Sequence, residues 1–305
     1  MSPYDVSPSR LRGRKAVTWR DYRWGESAKF IACNAVGIGA AVAGLWLGAP
    51  ASAWICALVL YVVRMFFVTG GYHRYFSHRS FKTGRIMQFV FAFGASTSAE
   101  RGVLWWAAHH RDHHRYSDTE RDVHSPVRWG FWHAQVMWFF DDNDRYDPAK
   151  IRDFVRYPEL VVIDRLWLVP PTILALACLF FLGWWGYFIG FFFSTVMLWH
   201  GTFTINSLSH LWGRRRYATS DHSRNNAVLA LLTLGEGWHN NHHHCMNSCR
   251  QGFFWWEIDV TYYVLRAMSW VGLVWDLKPP PPRIYEAGPA PQPGAERLPS
   301  RLGGA

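Results

Sequence analysis

The chain has 305 residues and a formal charge of +10, and half of it is hydrophobic, with 19 Trp and 21 Phe. That much aromatic and apolar material excludes an ordinary basic nucleic-acid binder, and uncharged blocks alternating with strongly basic ones indicate a membrane protein with positively charged loops. The five Cys, at 33, 56, 178, 245 and 249, show no disulfide spacing, which implies reduced thiols facing a cytosol.

Residues 1–29 are polar and basic and lack the short apolar core of a removable signal peptide. They read as a cytosolic segment, with Trp19 to Trp24 lying in the membrane interface. From Phe30 to Val63 there is no Asp, Glu, Lys or Arg. A span needs about 20 apolar residues, so this block predicts two, near 30–48 and 51–69, joined at Gly48-Ala49-Pro50. Arg64, near the end of the second, is expected to snorkel to the surface. The apolar stretches 86–96 and 131–140 are too short to cross and read as helices in the headgroup layer. A second uncharged block, Leu166 to Ser209, breaks at Gly183-Trp184-Trp185-Gly186. It predicts spans near 166–182 and 187–205, with Pro170 and Pro171 opening or kinking the first of these. After the four prolines at 279–282, residues 279–305 read as a Pro/Gly-rich disordered tail.

Both hairpin turns lack Lys and Arg, whereas the N-terminal segment, the 70–165 region and the chain after 210 are rich in them. The positive-inside rule puts those three regions in the cytoplasm. The predicted fold is all-α and integral to the membrane: four transmembrane helices in two hairpins with a cytosolic helical cap. Residues 30–278 form the membrane domain, both termini are cytoplasmic, and a bacterial inner membrane is the expected location.

Four His-bearing segments fall on that cytoplasmic side. In LWWAAHHRDHHRYSD (104–118), His110, His113 and His114 stand at i, i+3 and i+4, one face of a helix. The pattern returns at His239, His242 and His243 in GEGWHNNHHH. His73 and His78 lie in HRYFSH just after the second span, and Asn206 and His210 lie in NSLSH just after the fourth. Nine His and one Asn are enough for two metals of about five ligands each. One His near a membrane end is usually interfacial, but nine in repeated patterns point to metal. Zinc has no redox chemistry and usually takes four ligands, so a redox pair is expected; spacing alone leaves iron and copper open. His124 is expected to stand behind the ligands or line the site, and Asp112, Asp118 and Asp122 are expected either to accept imidazole N–H bonds or to be solvated loop charges. His109, His133, His200, His222 and His244 read as structural or as standing behind the ligands. A transporter would carry polar ligands near the bilayer midplane; these spans, His200 excepted, carry almost none.

HRYFSH, HRDHH, NSLSH and GEGWHNNHH together resemble the membrane fatty-acid desaturases of the stearoyl-CoA Δ9 type, in family order and spacing, over about residues 30 to 265. The resemblance implies two non-haem irons, O2 as co-substrate and removal of two hydrogens from neighbouring methylenes of a saturated acyl chain, giving a cis alkene and water. It makes His73, His78, His110, His113, His114, His210, His239, His242 and His243 metal ligands, Asn206 a ligand through water, and Trp106 a wall of the acyl tunnel. Animal acyl-CoA members place Arg-Asp just before the first His of the second box, where this chain has Ala108 and His109. Acyl-CoA is the first expectation for the carrier, with acyl-carrier protein and intact lipid as alternatives. A hydroxylase on the same scaffold would share the ligand set. The expected electron donor is a separate protein such as cytochrome b5, ferredoxin or rubredoxin with its reductase.

Overall fold

The computed structural model describes residues 24–140 and 146–286. The expected interfacial segment, apart from Trp24, and residues 287–305 lie outside that range. Helix α1 (Trp24–Leu47) is followed by α2 (Ala51–Phe66), which continues as a wider π-helical stretch, Phe67–Ser77. In the cap come α3 (Arg85–Ser96) and α4 (Val103–Tyr116). Helix α5 (Val169–Trp185) leads into α6 (Ser194–Asn206) through a second π-helical stretch, Gly186–Phe193. The cap then closes with α7 (His239–His244) and α8 (Val260–Trp270). One antiparallel ladder, Lys82–Thr83 with Val274–Trp275, ties the first loop to the C-terminal segment.

Among the described residues, three helical runs are apolar and long enough to cross a membrane: Ser27–Leu47, Ala51–Ser77 and Val169–Leu211. The last has 43 residues. Straight, it would be about 65 Å long, twice the hydrocarbon core. It is not straight, because Gly183 has φ 63° and ψ −159° inside it. A Cβ on Gly186 would sit 2.5 Å from the Cys178 carbonyl oxygen, eight residues back, although a straight helix separates residues eight apart by about 12 Å along its axis. The run therefore doubles back, and Ala175, Cys178 and Phe191 bury one another against Cys56 and Leu60. Pro170, in the first turn of α5, opens that helix where its missing N–H costs nothing.

Four expectations need correction. Arg64 does not snorkel: it is 1% exposed, donating to Ser194 Oγ at 2.6 Å, Thr195 Oγ1 at 2.7 Å and the Leu60 carbonyl at 3.1 Å. These neutral acceptors lie within its reach, so the guanidinium is satisfied inside the bundle. Residues 131–140 are not one surface helix. The backbone breaks at Val136 (φ −141°, ψ −46°), and Ala134, Trp138 and Phe140 turn into the core while Trp132 faces out. Asp112 does not support a ligand ring, because it pairs with Lys150. The ordered chain also runs past 279: Ile284 is buried against Tyr217 and Phe253, and the Tyr217 hydroxyl donates to its carbonyl at 3.0 Å.

Candidate metal centre

The π-helical stretch explains the first His pair. On an α-helix, residues five apart point about 140° away from each other, whereas the wider turn of an i to i+5 hydrogen bond brings them to the same side. His78 N–H donates to the His73 carbonyl at 3.2 Å, and the two Nε2 atoms lie 3.1 Å apart. Helices α4 and α7 then each divide their three imidazoles. His110 and His114, four apart on α4, join His73 and His78 with His242 of α7. His239 and His243, four apart on α7, join His113 of α4 with His210 of the short helix Leu208–Leu211. Each triplet thus gives two rings to one group and one to the other. The groups stand side by side, with the His114 and His243 rings 4.4 Å apart.

In the five-His group the Nε2 atoms form a closed circuit. His73 to His78 is 3.1 Å, His78 to His110 3.0 Å, His110 to His114 2.9 Å, His114 to His242 2.9 Å and His242 to His73 3.0 Å. Bonds of about 2.1 Å to a common cation put adjacent nitrogens about 3.0 Å apart at right angles and about 3.4 Å apart in a tetrahedron. The spacing therefore suits a cation with more than four ligands. In the four-His group, His210 and His239 Nε2 lie 3.1 Å apart. The buried His243 Nε2 has no hydrogen-bond partner among the described residues, although its ring is fixed from the other side.

That fixing comes from carboxylates. Asp221 Oδ2 lies 2.6 Å from His243 Nδ1, Asp118 Oδ2 2.9 Å from His210 Nδ1, Asp122 Oδ2 3.2 Å from His113 Nδ1, and Glu236 Oε2 2.6 Å from His73 Nδ1. Each acceptor sets the tautomer with the proton on Nδ1 and the lone pair on Nε2. Burial works against ionising the three Asp, but the hydrogen bonds and charges of these His outweigh it and hold them below the usual carboxylate range. His78, His110, His114, His239 and His242 are pushed well below ordinary imidazole values, first by burial and then by neighbouring rings. His113 moves the other way: burial opposes its charge, yet Asp122 raises it. Those five neutral imidazoles, with their lone pairs available, are in the state that accepts a metal.

The structure brings together all nine predicted His. His124 stands beside this set, its Nδ1 3.3 Å from Asp122 and its ring 4.5 Å from that of His113. Asp118 and Asp122 each lie within hydrogen-bond distance of an imidazole Nδ1 of the set, at His210 and His113. Asn206 is not on one continuous helix with His210, since the backbone breaks at Ser207 (φ −101°, ψ −73°). It lines a cavity of about 50 Å³ with Trp106, His110, His124, Thr202 and Glu100. Trp106 stacks on His110 at 4.9 Å and on Tyr72 at 5.4 Å, and its Nε1 donates to Glu100 Oε2 at 3.3 Å. Sequence reasoning missed Glu100, Asp221 and Glu236. Glu236 lies three residues before His239, and an acid beside a His triplet was a usable signal. Asp221 reaches His243 only through the cap fold, which no spacing shows.

An apolar helical bundle that gathers nine imidazoles into two buried groups is a membrane protein with a metal-binding histidine cluster. The fatty acid desaturase family model matches residues 48–271. An acyl-CoA C20 Δ5-desaturase of Anemone leveillei is 35% identical over 238 residues, covering 75% of this chain and 74% of its own. An sn-2 palmitoyl-lipid 9-desaturase of Nostoc sp. is 36% identical over 224 residues (70% and 76%), and Delta-9 acyl-lipid desaturase 1 of Arabidopsis thaliana is 35% identical over 233 (73% and 74%). The chain belongs to the fatty acid desaturase family; it is an oxidoreductase with a fatty acyl substrate.

Proposed function

We propose that the protein is an O2-dependent desaturase that makes a cis double bond at Δ9 of a saturated acyl chain, with two irons held by the nine histidines and by Asn206 through water. The observation that carries this reading is the convergence of five Nε2 atoms at 2.9–3.1 Å, beside a cavity that His110 also lines. Bound iron supplies the redox chemistry: O2 takes two electrons from a donor and two from the paired C–H bonds, and leaves as two waters. A separate electron-transfer protein of the cytochrome b5, ferredoxin or rubredoxin kind delivers the donor's electrons.

The chain's own residues do the positioning. Asp118, Asp122, Asp221 and Glu236 hold four rings in the tautomer that binds metal. Trp106, Trp138 and Phe203 wall the cavity and exclude water. Methylenes are chemically alike, so the bond to be oxidised is selected by where the walls place it. Reversal at Gly183 makes the apolar runs four passes, with the cap and both termini on the cytoplasmic side. Acyl-CoA, the first expectation for the carrier, gains no support at positions 108 and 109. Ala108 is buried, and His109 stacks on Trp105 at 4.1 Å with Nδ1 2.9 Å from the Trp105 carbonyl.

Expression in a host that requires unsaturated fatty acids, with a compatible donor, tests the reading. Growth and a product lacking two hydrogens, with the double bond located by mass spectrometry, are expected. A product that has gained an oxygen identifies a hydroxylase instead, and vesicles that take up metal through the pure protein would favour a transporter.

A further inference from the structure

Four carboxylates stand behind the ligand rings, and their second partners differ. Asp122 accepts from the backbone N–H groups of Asp118 and His124, Asp221 from Thr219 and Ser223, and Glu236 from Arg74, itself 1% exposed. Asp118 instead reaches the surface. Its Oδ2 accepts the Nδ1–H of His210 at 2.9 Å, and the same oxygen accepts the His222 ring Nδ1–H at 3.2 Å and the His222 backbone N–H at 2.7 Å. Ser125 Oγ holds Oδ1 at 2.6 Å, which fixes the carboxylate from its other side. The His222 side chain is 51% exposed, against 1% for His210. Two hydrogen bonds through one oxygen thus lead from a ring that water reaches to a ligand ring of the four-His group. His244, next to His243, is exposed as well, but its ring stacks on Tyr217 at 4.3 Å and is joined to the ligands through backbone.

The surface around His222 is basic. Arg115 lies in the last turn of α4 and Arg128 in the short helix Pro126–Trp129, both exposed. Arg128 Nε donates to the Asp118 carbonyl at 3.0 Å, Arg215 to the Asp221 carbonyl at 2.8 Å and Arg224 to the Gly213 carbonyl at 3.3 Å. These carbonyls hold the guanidiniums in place without cancelling their charge. Glu120 is exposed in the same segment, and the cations outnumber it. Asp118, Asp122 and Asp221 are buried below, turned to the rings.

Resting on the desaturase reading, we propose that His222 marks the point where electrons enter: an acidic one-electron carrier protein docks on the arginine-rimmed face, and each electron passes through the His222 ring, the Asp118 carboxylate and the His210 ring to the metal. At each docking the carrier is oxidised by one electron and one bound ferric ion is reduced to ferrous. Two dockings supply the two electrons that a double bond requires, and no bond of His222 forms or breaks. The ligands are buried, so a carrier cannot bring its own centre against them, and hydrogen-bonded atoms couple two redox centres better than a gap does. His222 touches neither substrate nor metal; it positions the path. Charge selects the partner, because a basic rim attracts an acidic protein and speeds its encounter, most strongly at low salt.

The test uses the full-length, iron-loaded, oxidised protein in nanodiscs, mixed without oxygen with reduced plant-type ferredoxin, rubredoxin or cytochrome b5. Loss of the ferric absorbance is followed, with dithionite as a small reductant that needs no docking. His222→Leu removes the ring's bond at an exposed position and is expected to slow reduction at saturating carrier about tenfold, with iron content and the dithionite rate unchanged. His222→Gln, which keeps a donor for Asp118, recovers part of the rate. Arg115→Glu is expected to raise the carrier concentration needed for half-maximal rate at low salt, but not at high salt, and to leave the saturated rate as it was. Equal slowing with dithionite, an unaltered carrier rate in His222→Leu, or reduction by none of the three carriers overturns the entry point. Carrier-driven reduction that His222→Leu slows, with no double bond formed in any acyl chain supplied, keeps the entry point and rejects the desaturase reading.

Discussion

The two histidine groups draw on the same helices yet are held by different forces. In the five-His group one ring, His73, rests on a carboxylate among the described residues, and the rings around His78 and His114 pack edge to face, with interplanar angles of 73–87°. In the four-His group three of four rings rest on Asp. The first is closed by ligand number, and the second offsets its smaller number with three nearby negative charges. Carboxylates behind a ring raise its basicity. The four-His group, beside His124 and Asp122, thus holds the more electron-rich rings. The two groups are therefore not equivalent, and the outer partners make them differ.

Losing a ring should have the largest effect. His242→Ala opens the five-His circuit at two of its edges, and His113→Ala removes a ring from the other group. Both are expected to reduce desaturation to background, with iron analysis of the purified protein falling from about two toward one or none. Full iron content and activity in His113→Ala would refute the site. Next in size come the outer partners. Asp118→Asn should weaken metal retention about 10–100-fold in a chelator titration. Glu236→Gln should cost less metal, because four unaltered rings remain, but more fold stability, because Arg74 is 1% exposed and leans on Glu236 as well as Asp259. Leaving a buried polar group short of a partner costs about 1–3 kcal/mol. Equal metal loss in both variants would erase the distinction between the groups.

Much of this was legible in the sequence. Uncharged blocks set the helices, because a run such as 30–63 has no other way to satisfy its backbone in lipid. The His triplets set the ligands, because i, i+3 and i+4 share a face. The division of each triplet between two groups was not legible, since it depends on the angle at which α4 and α7 meet. Nor was the π-helical turn that aligns His73 with His78, since α-helical periodicity sets them apart. Arg64 misled for a related reason: an isolated charge near a helix end reads as snorkelling until Ser194 and Thr195 arrive from another helix.

Glu100 offers a smaller, pH-dependent test. Burial lifts its carboxyl to about 7, against hydrogen bonds from Thr202 and Trp106. A carboxyl raised on folding contributes stability below its unfolded value, near 4.5, and loses it as pH rises through 7. Relative to Glu100→Gln, the metal-stripped wild type should lose about 3 kcal/mol between pH 4.5 and 8, read from paired melting curves. Returning iron should shrink the difference, because a nearby cation favours the carboxylate. A gap that stays constant with pH would mean that Glu100 is ionised throughout.

The smallest effects belong to the two outer turns, and they decide whether the long apolar run is one element or two. Gly48 has φ 75°, a left-handed value, and Ala there should cost about 1–2 kcal/mol. Gly183 pairs φ 63° with ψ −159°, a region open essentially to Gly alone, where a side chain costs about 1–3 kcal/mol. Neither Cβ would meet an atom within 4 Å, so backbone strain is the whole effect in both. Thermal unfolding in detergent should rank Gly183→Ala at or below Gly48→Ala, with turnover per folded molecule unchanged in each. Cysteines placed at Trp184 and Gly48 should react with an impermeant reagent from the same side of oriented vesicles. A neutral Gly183→Ala together with labelling from opposite sides would leave the run unreversed and His210 stranded across the bilayer from the other histidines.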